Sequence, residues 1–278
     1  MSLLRCGAYR LPLDRPLVMG IVNLTPDSFS GDGTGADVAL AIAHARRQLE
    51  AGADILDIGA ESSRPGALPT PEDEELRRLV PVLREICNWG VPVSVDTYKP
   101  AVMREALKAG AAMINDITAL ADPAALAVVV ESDCAVCLMH MRGEPRTMQQ
   151  APDYEDVVGE VRTFLASRVA LCRAAGIADD RIVLDPGFGF GKTLDHNLAL
   201  FRALTATAGD GLPLLVGVSR KSMLGAITGR PVERRLAASV AAALLAARNG
   251  AKILRVHDVA ETRDALAVLA AVEQGEKS

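Results

Sequence analysis

Eight short apolar or β-branched runs recur along the chain, at 17–22, 54–58, 92–95, 112–117, 135–139, 181–184, 214–218 and 252–256. Segments with helical character lie between them, at 36–50, 71–87, 100–109, 154–175 and 236–249. Glycine stops recur at the helix ends, as Ala51-Gly52, Ala109-Gly110, Ala175-Gly176 and Asn249-Gly250. A residue without a Cβ adopts the left-handed cap at little cost. Strands that alternate with helices pair in parallel through right-handed crossovers. Eight such units in 278 residues, with no linker-like stretch between them, predict an α/β fold: one (β/α)8 TIM-like barrel spanning 1–278. A doubly wound open sheet competes, because counting strands does not prove closure. Residues 1–15 precede the first run and are expected to form an N-terminal β-hairpin over the barrel bottom.

Half of the residues are hydrophobic, which is enough for a large core, and the net charge is −5 from 30 basic and 35 acidic residues. No basic block stands out, which argues against a nucleic-acid partner but leaves room for a local cationic pocket. The five cysteines, at 6, 87, 134, 137 and 172, are odd in number and scattered. A reduced, intracellular chain is the simplest reading. The N-terminus lacks an apolar signal core and no stretch approaches a membrane span, so no membrane partner and a cytoplasmic location are expected. Cys134-x-x-Cys137 lies within an apolar run with no second cysteine pair, so zinc is not expected there.

The stretch LDPGFGFGKT, 184–193, imitates two nucleotide motifs and satisfies neither. A P-loop needs four residues between its first glycine and Gly191-Lys192, and that spacing falls on Pro186. A dinucleotide fingerprint needs a third glycine at 192, where Lys192 stands. What remains is a strand, Asp185, a proline, and a glycine turn into a helix starting near 194. Lys192 is then expected to be a solvated loop lysine, and Arg234-Arg235 a solvated helix start.

A barrel of this kind works at its C-terminal face, where strands run into loops. Nearly every run delivers a polar group there: Asn23, Asp57, Asp96, Asn115-Asp116, His140, Asp185, Ser219-Arg220-Lys221, and Arg255 with His257. Asp96, Asn115 and Asp185 suit the edge of a flat, donor-rich heterocycle, since one carboxylate accepts a paired N–H/NH2 set. Arg64, Lys221, Arg255 and His257 suit an anion such as a phosphate. Arg255 and His257, two apart on a strand end, share a side. Arg220 and Lys221 are adjacent and point apart, so one of them faces the pocket. Asp96 and Asp185 have a competing role as caps for the helices that follow. Asp57 and Asp116 stay open between supporting and structural roles, and His140 is expected to be a satisfied structural histidine.

MGIVNLTPDSFS (19–30), ESSRPGA (61–67), SVDTYKP (94–100), INDI (114–117), LMHMRGEPRTMQ (138–149), DPGFGFGK (185–192), GVSRKSMLG (217–225) and RVHDVAET (255–262) occur in that order. Together they resemble the dihydropteroate synthase family from the first strand to the last helix. The resemblance implies a TIM-like barrel acting in folate synthesis. It would join p-aminobenzoate to a dihydropterin methyl diphosphate, giving dihydropteroate and pyrophosphate. By residue, it implies pterin contacts at Asp96, Asn115, Asp185 and Lys221. Diphosphate contacts would be Asn23, Arg64, Arg255 and His257, with Asn23 helping to hold Mg²⁺. The p-aminobenzoate site would draw on Thr25, Pro26, Asp27, Ser28, Phe29, Ser63, Arg64, Pro65, Lys221 and Ser222. Catalysis would rest on Asp96, Asp185, Lys221, Arg255 and His257.

Two departures stand out: Ser63 replaces a frequent threonine and Ala60 a frequent glycine. Both bear on packing rather than charge. The Ala-rich segment 236–250 suits a core helix or, as the resemblance favours, a homodimer contact. Two other functions compete: a barrel moving a methyl group from a folate to a corrinoid partner, and a non-catalytic binding relative. The first has no need of a diphosphate clamp, and the second predicts lost charges, whereas the matched charged positions are all present.

Overall fold

The structure is a computed structural model that describes residues 2–24, 35–62, 66–150, 152–209 and 211–274. A hairpin of β1 (Leu3–Cys6) and β2 (Tyr9–Pro12) comes first. Then follow β3 (Leu17–Asn23), α1 (Gly35–Glu50), β4 (Ile55–Gly59), α2 (Glu72–Ile86), β5 (Val93–Asp96) and α3 (Pro100–Lys108). The middle of the chain forms β6 (Met113–Asp116), α4 (Pro123–Val130), β7 (Ala135–Met139), α5 (Val157–Ala174), β8 (Ile182–Asp185), α6 (Leu194–Arg202) and α7 (Leu204–Thr207). It ends with β9 (Leu215–Val216), α8 (Ser222–Thr228), α9 (Leu236–Arg248), β10 (Ile253–Val256) and α10 (Val259–Gln274).

The eight later strands pair in parallel in the order β8-β7-β6-β5-β4-β3-β10-β9. A bridge between Leu184 and Leu214 joins the two end strands, and Leu184 N donates to Pro213 O at 2.9 Å. Neighbours in sequence are neighbours in space around the whole ring, so the sheet closes and the open doubly wound alternative is excluded. The four predicted glycine stops sit with φ of 96°, 105°, 92° and 91° at Gly52, Gly110, Gly176 and Gly250. Each occupies the left-handed region that ends a helix. The α2 start carries Glu72, Asp73, Glu74 and Glu75 in its first turn, where carboxylates favour the positive end of the helix dipole.

Side-chain alternation divides the core into two compartments. Outward residues such as Val18, Leu56, Val93, Val95 and Ile114 pack under the helices. Inward residues Leu17, Met19, Ile55, Met113, Ala135, Cys137, Val183, Leu215 and Ile253 fill the lower barrel. Leu4, Cys6 and Leu13 from the hairpin segment plug it from beneath, as the sequence predicts. Cys134 belongs to the outer compartment and Cys137 to the inner one, so the two thiols lie on opposite faces of the sheet. Burial pushes both thiols up, and both are free. Among the described residues, no helix is long and apolar enough to cross a membrane.

Candidate active site

The inward parity that fills the lower barrel with apolar residues continues upward into polar ones. Register pairs Asn23 with Gly59, Gly59 with Asp96, and Asp96 with Asn115, so these four form one row across the mouth. Asp57 and Ser94 pair one layer below. Ile253 faces the interior, so Arg255 and His257 do too, with Arg255 level with Met19. A Cβ on Gly59 would stand 3.3 Å from Asp96 Cβ, tighter than most real contacts, so the glycine keeps the space that Asp96 fills.

Arg255 is the hub. Its Nε donates to Asp57 Oδ2 at 2.6 Å and its Nη2 to Asp96 Oδ2 at 2.8 Å. Asp57 is fully buried, which settles the role left open for it: it is a supporting carboxylate that orients Arg255. Asp57 Oδ1 and Ser94 Oγ have no hydrogen-bond partner among the described residues. Burial raises the Asp96 carboxyl above the usual range, against the pull of Arg255, with Asp57 adding like-charge repulsion. Neither Asp96 nor Asp185 caps a helix. Asp185 Oδ1 accepts Gly187 N at 2.7 Å inside the turn that follows β8. Burial raises Asp185 as well, opposed most strongly by Lys221.

Lys221 reaches this pocket because the backbone before it is bent. The predicted run 214–218 forms only two residues of ladder, and Arg220 takes φ of 59°, a strained value for a residue with a side chain. Two bonds hold the bend: Arg220 N donates to Ser239 Oγ at 2.9 Å and Arg235 Nη1 to Arg220 O at 3.0 Å. Arg235 is therefore a tie between loops, while Arg234 is exposed as expected. The bend sends Arg220 outward to Asp258 at 2.5 Å. It sends Lys221 inward, where Nζ donates to Phe188 O at 2.6 Å and stands 4.7 Å from the centre of the Phe190 ring. Burial lowers the Lys221 ammonium to about 8, with Asp185 resisting. Ser222 follows at the exposed start of α8.

His257 takes Ser219 as partner, with Nδ1 3.1 Å from Ser219 Oγ and its backbone N donating to the same oxygen at 3.2 Å. Gln48 Nε2 donates to its carbonyl at 3.0 Å. Asn115 is buried in the same row as Asp96. Asp116 proves structural: it accepts from Thr118 N, Thr118 Oγ1 and Leu120 N, all within 2.8 Å. His140 is a buried structural histidine, lowered by burial to about 3. The positions expected at Thr25, Pro26, Asp27, Ser28, Phe29, Ser63, Arg64 and Pro65 lie outside the described residues.

Two features escape a sequence reading. Lys192 is not solvated but only 3% exposed, its Nζ donating to Gly187 O at 2.9 Å and Phe190 O at 3.0 Å. Glu75, in the first turn of α2, is buried and pairs with Lys99 at 2.6 Å. Lys99 also pairs with Glu61, which accepts from Tyr98 Oη at 2.9 Å and Thr70 N at 3.1 Å. This cluster ties the loop after β4 to the loop after β5, beside Asp96. The signal was present in ESSRPGA and SVDTYKP, but nothing in one sequence says that the two stretches touch.

A barrel whose mouth holds buried carboxylates, an amide and cations around one hub defines a pterin-binding enzyme: the chain belongs to the pterin binding enzyme family, whose model matches residues 19–257. Within that family it is 52% identical over 267 residues to the dihydropteroate synthase of Neisseria meningitidis serogroup C, covering 94% of each chain. Among solved structures, Burkholderia cenocepacia dihydropteroate synthase complexed with 7,8-dihydropteroate superposes with a TM-score of 0.91 at 52% identity, covering 99% of this chain and 98% of that one. Xanthomonas albilineans dihydropteroate synthase with 4-aminobenzoic acid superposes with a TM-score of 0.92 at 52% identity, covering 98% of both.

Proposed function

We propose that the chain condenses p-aminobenzoate with (7,8-dihydropterin-6-yl)methyl diphosphate, giving 7,8-dihydropteroate and pyrophosphate, with the diphosphate leaving first. The Asp57–Arg255–Asp96 hub carries the reading, because it sets a carboxylate and a cation side by side at the barrel mouth. Asp96, Asn115, Asp185 and Lys221 bind the pterin edge and ring. Two Arg255 donors are committed to carboxylates, which leaves Nη1 for the diphosphate; His257 and Arg64 are assigned there as well.

The C–O bond breaks with its electron pair going to the diphosphate. A methylene cation conjugated with the pterin remains, and Asp96 and Asp185 stabilise it where burial strengthens their field. The aniline nitrogen then donates its lone pair to form the C–N bond and loses a proton to solvent. That amine is uncharged at neutral pH, so no strong base is required. Positioning and fixed charge carry the step.

Mg²⁺ fits this site as a passenger of the diphosphate. Among the described residues no group of three or more His, Cys, Asp or Glu forms a cage for it. Asn23 offers one neutral oxygen at a strand end, and Mg²⁺ commonly completes its shell with phosphate oxygens and water. When bound it neutralises charge on the leaving oxygens. Pyrophosphate release that needs Mg²⁺, stops in EDTA, and with p-aminobenzoate present matches dihydropteroate formed one for one is the expected result. Asn23→Ala should raise the Mg²⁺ concentration for half-maximal rate several-fold. Tight pterin binding without turnover would instead favour methyl transfer or a binding role.

The titration of the site gives a second check. Asp96 and Asp185 are raised and Lys221 is lowered to about 8 by burial. The rate profile in kcat/KM should be bell-shaped, with its acid limb above the ordinary carboxylate range and its alkaline limb near that lysine value. Lys221→Arg, which does not deprotonate, should remove the alkaline limb. An unmoved limb would assign it to another group.

The proposal includes a homodimer in the cytoplasm, a setting that five free cysteines support. Ile227, Leu236, Leu245, Val268 and Val272 are exposed apolar side chains on α8, α9 and α10, suited to contact with a second copy. Leu245→Glu should convert a dimer to a monomer in sedimentation.

A further inference from the structure

Lys192 holds a buried ammonium that the reaction as derived does not use. Its partners are Gly187 O, Phe190 O, His140 Nδ1 at 2.9 Å and, more weakly, His140 O at 3.4 Å, all uncharged. A lysine is seldom fully buried without a carboxylate beside it, because desolvating the charge is costly. Burial lowers this one to about 7, with the field of Asp185 resisting. The two carbonyls it gathers belong to the turn between β8 and α6. That turn meets Lys221 twice, through Phe188 O and the Phe190 ring.

The turn has little freedom to settle elsewhere. Gly187 has φ of 70°, and a Cβ there would stand 1.8 Å from His140 O, so the backbone lies hard against the end of β7. Gly189 N donates to Asn197 Oδ1 at 2.8 Å from the α6 side. Lys192 Nζ closes the inside, joining Gly187 and Phe190 across the turn and tying both to His140. Without it, Phe190 O and His140 Nδ1 lose that donor, and Gly187 O keeps Phe190 N at 3.1 Å.

We propose that Lys192 is a positioning residue for Lys221: by clamping Gly187 O, Phe190 O and His140 Nδ1 it fixes the shape that presents Phe188 O and the Phe190 ring to the Lys221 ammonium. The inference rests on the assignment of Lys221 to the pterin site. It adds a residue that touches neither substrate and acts through one that does.

A double-mutant cycle tests it. The kcat/KM for the dihydropterin diphosphate, at saturating p-aminobenzoate, is measured for the unsubstituted chain, Lys192→Met, Lys221→Met and the double variant. Lys192→Met should lower kcat/KM about 10- to 100-fold, the scale of mispositioning by about 1 Å. In the Lys221→Met background the same change should cost less than about twofold, because its route is already gone. Equal losses in both backgrounds would overturn the proposal, since a merely structural role is additive. Should Lys192→Met fail to fold, His140→Leu replaces it in the same cycle; it removes one acceptor and leaves the carbonyl clamp. Coupling to Lys221→Met then supports the proposal and additivity overturns it. Failure of the unsubstituted chain to form dihydropteroate would bring down the functional reading, and this inference with it, before any substitution is made.

Discussion

Asp185→Asn is expected to lower kcat/KM by about 10²–10³, the usual cost of removing one preorganised charge from a developing transition state. The amide keeps the size of the carboxylate and still accepts from Gly187 N, so the turn survives. What disappears is the negative charge that faces the pterin and Lys221. Stability should move the other way. The folded value of Asp185 is raised above its ordinary one, so the folded chain holds a proton that the unfolded chain has already released. Its contribution is therefore destabilising, and it grows as pH rises from the ordinary carboxylate range through the raised value. The variant should melt no lower than the parent at pH 8, and its advantage should vanish near pH 4. Single-turnover kinetics with calorimetry at both pH values checks both halves. Full activity in the variant would remove Asp185 from the site.

Arg255→Met is expected to give the largest combined loss, in activity and in stability. The substitution leaves Asp57, fully buried, and Asp96, largely buried, facing one another without the guanidinium that joined them. Breaking a buried pair by removing one partner costs about 3–5 kcal/mol. The sign of the pH dependence follows from the carboxylates. Without the lowering pull of Arg255 the folded value of Asp96 rises further, so the unfolded state holds fewer protons than the folded state above pH 4. Stability then falls as pH rises, and the deficit should be largest near pH 8 and shrink towards pH 5. Denaturant melts at the two pH values measure it. A deficit that does not change with pH would mean that the carboxylates find other partners. Activity should fall below detection, because the diphosphate loses its cation and Asp96 its orientation at once.

Much of this arrangement was legible in the sequence. The eight runs, the four glycine stops and the charged strand ends named the barrel and its working face. Asp96, Asn115, Asp185, Arg255 and His257 have positions at its mouth, and Lys221 turns inward beside them. The roles of Asp57 and Lys192 were not legible. Both depend on partners far away in sequence, Asp57 on Arg255 and Lys192 on His140. Lys192 stands among glycines, which read as a solvated loop, and only the packing of that turn against β7 and α6 buries it. The pairing of Glu75 is equally distant in origin: Lys99 reaches it from the loop after β5.

The sequence by itself determined which residues could be strand or helix, where each helix stops, and on which side of each strand a group falls. Those are local matters of periodicity, propensity and parity, decided within a few residues. Closure of the ring through Leu184 and Leu214, the inward throw of Lys221 by the strained Arg220, and the burial of Asp57, Glu75 and Lys192 were decided by tertiary structure. Their physical reason is common. The cost of burying a charge and the value of pairing it depend on which distant backbone or side chain arrives beside it, and only the closed barrel brings them together.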